Sequence, residues 1–155
     1  MGLDFSLYKK RKYISPADFY DYSNNCADDI ELAYGRKSWE LVEALCDGVD
    51  DQVITKERWD ALMKDIEPIA NKLDDISKAF DHYYDQQDSS ELVFTNLDEH
   101  LVAEYEKWYN KTFNRTPCLG YDFSVGYIKN FWDANKKVQE VFNDPEYEVF
   151  AWVSY

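Results

Sequence analysis

Leu3-Asp4-Phe5-Ser6-Leu7-Tyr8 near one end of the sequence and Tyr147-Glu148-Val149-Phe150-Ala151-Trp152-Val153 near the other decide the fold. In the first stretch Leu3, Phe5 and Leu7 alternate with Asp4, Ser6 and Tyr8, the period of a strand with one buried face. The second is aromatic and β-branched enough to form a strand as well. No other segment offers an equally clear strand, so the economical arrangement pairs these two in a small antiparallel sheet beneath a helical body. The expected fold is therefore α+β, a single domain over 1–155. The basic run Lys9-Lys10-Arg11-Lys12 is expected to leave the sheet into solvent, where it discourages strand addition rather than gripping phosphate.

Between the strands the pattern is helical. Ser15-Pro16-Ala17-Asp18 opens a short helix that Asn24-Asn25 can stop. From Ala27 to Cys46 the apolar positions Ile30, Ala33, Tyr34, Leu41, Ala44 and Leu45 trace one face of a second helix, ended by Asp47-Gly48. Lys37 falls on that face, where an ammonium either snorkels past the core edge, the commoner outcome, or is paired with a carboxylate, with Asp4 the first candidate and Glu31 the next. Thr55 caps a third segment, in which Leu62, Ile66, Ile69, Leu73, Ile76, Phe80 and Tyr83 form a seam that packs in a bundle core or across a dimer. Pro68 is expected to kink or split it near Glu67. Asp88-Ser89-Ser90 reads as a loop, and Thr95-Asn96-Leu97-Asp98 as a capping box opening the next helix. Thr116 to Gly120 breaks that helix, and a last one runs from Tyr127 to Phe142, closed by Asn143-Asp144-Pro145.

Charge is concentrated. The 155 residues carry a formal net charge of -14, yet aromatics make up 17% and hydrophobic residues 45% of the chain, so a disordered acidic tail is excluded. Residues 79–106 hold eight carboxylates (Asp81, Asp85, Asp88, Glu91, Asp98, Glu99, Glu104, Glu106) and no Lys or Arg; residues 38–55 hold five, among them Asp47, Asp50 and Asp51, and again no base. The intervening 56–78 is balanced, six acids against five bases, as solvated helices are. Two unbalanced patches repel nucleic acid and invite a basic protein. Eight charges over 28 residues give one per roughly 5 Å of helix, too sparse to copy a duplex with one per ~1.7 Å, but enough to compete for part of a basic groove.

Catalytic and metal signatures are missing. His82 beside Asp81 and Asp85, and His100 one turn from Glu104, each offer two ligands where a site needs more, so no metal or other cofactor is expected. Asp47-Gly48-Val49-Asp50-Asp51 lacks the order and closing Glu of a calcium loop. No G-x-S-x-G elbow, Walker loop or dinucleotide fingerprint occurs, which points away from an enzyme. Cys26, Cys46 and Cys118 form no C-x-x-C pair, and buried reduced thiols with no leader or membrane-spanning run imply a cytoplasmic protein. Without export, the sequons at Asn110 and Asn114 carry no meaning.

Met1-Gly2-Leu3-Asp4-Phe5-Ser6-Leu7, Glu31-Leu32-Ala33-Tyr34-Gly35-Arg36-Lys37 and the aromatic final strand together resemble a family of small uncharacterised bacteriophage and prophage proteins. Its members open with M-G-L-D-M-Y-L and carry E-V-A-Y-W-R-K on a helix. Here Gly35 stands where that family has Trp, and Ser38-Trp39 replaces its following His. The family has no established activity to carry over. A phage origin implies, by analogy with small acidic phage proteins, an inhibitor of a host nucleic-acid-binding defence protein, of the anti-CRISPR or anti-restriction type, acting in the cytoplasm of an infected bacterium. The expected contact residues are Asp47, Asp50, Asp51, Asp81, Asp85, Asp88, Glu91, Asp98 and Glu99, with no direct binding of nucleic acid or membrane. Two alternatives stand beside it: a small enzyme or ligand-binding protein using Asp4, Glu31, Arg36 and Lys37, and a phage structural or assembly component resting on the Leu62 to Tyr83 seam.

Overall fold

A computed structural model describes residues 2–19, 30–85 and 94–154. Alternation in the N-terminal segment produces strand β1, Asp4–Arg11, and the C-terminal segment produces β4, Tyr147–Ser154. They pair antiparallel along their whole length, from Asp4 opposite Ser154 to Arg11 opposite Tyr147. Two further strands complete an antiparallel sheet of order β2-β1-β4-β3: β2, Glu31–Arg36, on the free side of β1, and β3, Gln52–Val53, on that of β4. The α+β architecture with paired terminal strands is thus as the sequence implied.

The segment read as a second helix is mostly strand. Residues 31–36 pair with β1, Leu7 opposite Ala33 and Asp4 opposite Arg36. Ala33 and Gly35 are buried while Tyr34 and Arg36 are not, a period of two that the helical reading overlooked. β1 has two edges, and β4 satisfies only one, so its remaining backbone groups recruit β2. Gly35 suits this packing because a Cβ there would lie 2.8 Å from Ser38 Oγ. Lys37 then turns the chain with φ of 51°, and only Trp39–Leu45 is helical (α1). Residues 24–25, the expected stop of the first helix, lie outside the described residues; its start is present, with Ser15 Oγ accepting from the Asp18 amide at 3.2 Å.

Thr55 caps α2, Lys56–Ala70, its hydroxyl accepting from the Arg58 amide at 3.3 Å. The helix passes through Pro68 and breaks one turn later than expected, at Asn71-Lys72, before α3, Leu73–Asp85. The seam from Leu62 to Phe80 is buried inside this molecule, and Tyr83 at its end is exposed. Thr95 and Asp98 form the expected capping box of α4, Asn96–Phe113. Instead of one helix over 127–142 there are two, α5, Tyr121–Asp133, and α6, Asn135–Phe142, joined at Ala134.

One face of the sheet (Leu3, Phe5, Leu7, Ala33, Val149, Ala151) shares a core with the helices, Phe5 stacking on Phe131 at 5.7 Å and Trp59 reaching Asn135 Oδ1 at 2.8 Å. The other face gathers Tyr8, Phe150 and Trp152 around buried Phe19. Lys10 lies on that second face, 2% exposed, and corrects the expectation that residues 9–12 leave the sheet. Its ammonium meets Glu148 Oε1 at 2.7 Å and the carbonyls of Arg11 and Ile14 at 3.0 and 2.5 Å, so all three donors are satisfied. The paired buried lysine therefore exists, at Lys10 rather than Lys37.

Candidate functional site: an acidic aromatic face

The two acidic segments have different fates. Within 38–55, Glu40 is buried, Glu43 meets Arg115 at 2.7 Å, and Asp47 is paired with Arg58. Asp51 Oδ1 accepts from the Val153 amide at 2.8 Å, tying the β3 turn to β4. Only Asp50 is left exposed with no side-chain partner among the described residues. This segment is no open acidic patch: its cations come from Arg58 and Arg115, elsewhere in the chain.

Within 79–106, Asp98 is committed to structure, accepting from the Thr95 amide at 3.0 Å and lying 3.2 Å from His82 Nδ1. Those bonds, the backbone one foremost, hold its carboxyl below the ordinary range and remove it from the surface set. Glu104 is paired with Lys72 at 2.6 Å. Asp81 and Glu99 are exposed and Glu106 is half-buried, all three without an ion pair among the described residues. Lys78 and Lys107, the flanking cations, are exposed and pair with none of them. Asp85 ends α3, with nothing described of its side chain; Asp88 and Glu91 lie outside the described residues.

Two of these carboxylates, Glu99 and Glu106, border an aromatic pocket. On α3 the steps Phe80, Tyr83, Tyr84 and on α4 the steps Glu99, Val102, Ala103, Glu106 each trace one helical face, and the two faces meet with Phe94 and Tyr121 around a pocket of about 440 Å³. Tyr83 stands edge-on to Tyr84 at 5.2 Å and to Phe94 at 5.3 Å. Tyr121 is fixed by donating its hydroxyl to Asn110 Oδ1 at 3.1 Å. Tyr83 and Tyr84 remain 43% and 46% exposed, unusual for large rings and the mark of an open wall. Burial foremost, then Asp122, Tyr83 and Glu106, push the Tyr84 hydroxyl up.

The Asp4, Glu31, Arg36, Lys37 group does not assemble. Asp4 and Arg36 are opposite each other, but Asp4 accepts from the Tyr34 hydroxyl at 2.9 Å, and burial and that bond push Tyr34 up to about 12. Lys37 is half-buried and makes no ion pair with described residues, contrary to expectation; its backbone amide donates to Leu3 O at 2.6 Å. Glu31 stands at the far end of β2, opposite Tyr8, in a groove of about 510 Å³ with Lys9, Lys137, Glu140 and Asp144. On the strand, five residues separate Glu31 from Arg36 by about 17 Å.

Sequence reasoning missed a buried polar cluster at the α1–α4 contact. Burial holds the Glu40 carboxyl up, and the nearby Tyr109 hydroxyl, fully buried without a well-formed hydrogen bond, is raised by burial and by Glu40. Tyr105 and Ser124 hydroxyls share a 2.7 Å bond beside it. Cys46 is buried, its thiol pushed up to about 12 by desolvation, whereas Cys118 is exposed rather than buried as expected; Cys26 lies outside the described residues. No group of three or more His, Cys, Asp or Glu among the described residues could hold a metal ion, and no helix among them is long and apolar enough to cross a membrane.

Comparison with protein-family models, with curated proteins and with solved structures gave no match in any of the three.

Proposed function

We propose that this chain acts by binding a basic protein, through the face built by α3, α4 and the start of α5. The observation that carries this reading is the pair Glu99 and Glu106, acids that line an open aromatic pocket and have no cation among the described residues, with exposed Asp81 next in the chain to Phe80 of the same pocket, in a molecule that pairs Glu43 and Asp47 of its other acidic segment with arginines. Opposite potential across an interface speeds encounter and selects partners, while exposed rings supply the contact area. A groove-bearing nucleic-acid-binding protein of a bacterial host, the class the phage resemblance implies, has the required positive surface. Inhibition then follows from occupying that surface.

The test is capture of partners from bacterial lysate by wild type, by Asp81→Lys/Glu99→Lys, and by Glu43→Lys/Asp50→Lys. The expected result is a basic protein retained by wild type and by the second variant, lost with the first, and eluted as salt rises and the Debye length shrinks from ~10 Å at 0.1 M to ~3 Å at 1 M. Tight binding of DNA or RNA by the purified chain, or a complex indifferent to the first variant and to salt, overturns it. A ligand-binding reading has its own support in the groove beside Glu31, where Lys9 and Lys137 face Glu140 and Asp144.

A further inference from the structure

We propose that the pocket between α3 and α4 receives one alkylammonium group, the tip of a lysine side chain on the basic partner. This rests on the reading of the face above and names what its deepest point recognises. The pocket combines two features that an organic cation needs together. Tyr83, Tyr84 and Phe94 stand edge-on in sequence, so the pocket is walled by rings, and the negative face of a ring attracts an ammonium within about 6 Å of its centre. Glu99 and Glu106, one helical turn on either side of Val102, add two full negative charges to the α4 wall.

Other ligand classes fit worse on the same observations. A phosphate or carboxylate would meet Glu99 and Glu106 with no base among the described lining residues to offset them. A neutral apolar side chain would fill the aromatic wall but strip water from carboxylates that gain no partner, which costs free energy. A lysine arm satisfies both walls, its methylene stem lying on the rings and Val102 while its charged end reaches the carboxylates. The volume of about 440 Å³ leaves room for that arm together with bridging water. The pocket is already formed in the unbound chain, so entry needs no large rearrangement.

The experiment titrates Nα-acetyl-lysine methylamide, and separately the norleucine counterpart that lacks only the charged nitrogen, into the labelled full chain while the aromatic carbon–proton resonances are followed by NMR. Saturable shifts confined to Tyr83, Tyr84, Phe94 and Tyr121 are expected with the lysine compound and not with norleucine. Glu99→Gln/Glu106→Gln should weaken the lysine titration about tenfold and Tyr84→Leu about fivefold, with amide spectra elsewhere unchanged. No saturable shift, equal shifts with norleucine, or a titration untouched by the Gln pair would overturn the proposal. If the lysine compound does not enter while partner capture still collapses in Asp81→Lys/Glu99→Lys, the pocket assignment falls and the binding face stands. If it enters and no basic protein is captured, the pocket stands and the binding face falls.

Discussion

Residues 38–55 and 79–106 look alike as sequence, each acidic and free of Lys and Arg, yet the fold treats them oppositely. The first is consumed internally: Glu40 is buried, Glu43 and Asp47 take Arg115 and Arg58, and Asp51 holds a β4 amide. The second spends Asp98 on a helix cap and Glu104 on Lys72, leaves Glu99 and Glu106 beside exposed rings, and leaves Asp81 exposed on α3. Local charge count therefore does not measure surface potential. Arginines 11 and 72 residues away pair with Asp47 and Glu43 of one segment, whereas in the other a distant cation, Lys72, reaches Glu104 and none among the described residues reaches Asp81, Glu99 or Glu106.

The contrast makes a graded forecast, in which charges used inside cost stability when removed and charges left outside do not. At the inner extreme stands Lys10, and Lys10→Met should lose about 3 kcal/mol in denaturant unfolding by stranding Glu148 and two carbonyls. A loss below about 0.5 kcal/mol would mean that its pairing offsets no more than its own desolvation. Next, Asp98→Ala should lose about 1 kcal/mol through the cap, although it lies in the segment whose acids are otherwise outward. A neutral result there would blur the division within 79–106.

Glu40 sharpens the comparison through pH. Burial raises its folded pKa above the unfolded 4.5, so the native state binds more protons. The stability associated with the protonated form is fully present below 4.5 and declines as pH rises through the raised folded value. Glu40→Gln should flatten that decline above pH 4.5 in thermal unfolding, and an unchanged slope would place Glu40 in water. Smallest of all, Asp81→Lys and Glu99→Lys should each move stability by no more than about 0.5 kcal/mol, because both acids are exposed and neither has an ion-pair partner among the described residues. A larger loss would reveal a structural use for these acids.

Legibility in the sequence followed the range of the interaction. Alternation in Leu3 to Tyr8 and the caps at Ser15, Thr55 and Thr95 are chemistry within a few residues, and each stands where the sequence placed it. β2 was misread because Ile30, Ala33 and Tyr34 fit a helical face, while what selects the strand is the unpaired edge of β1, more than twenty residues away in the chain. Lys10 was misread because its partner Glu148 enters only through strand register. The candidate face was half legible. Its excess acid could be counted, but Tyr83 read as seam, and Tyr84, Phe94 and Tyr121 carried no mark until the helix faces met. The signal available was the run Glu99, Val102, Ala103, Glu106, whose steps of three and four put two acids on an apolar helix face.

Near-surface potential can be read directly by comparing paramagnetic relaxation of amide protons caused by a cationic and by an anionic nitroxide of equal size. The cationic probe should exceed the anionic one most strongly at residues 81–84, 99–106 and 121–122, while the ratio around 43–51 stays near the molecular average. An excess at 43–51 equal to or greater than that at 99–106 would contradict the claim that the fold pairs the acids of one segment and leaves those of the other unpaired.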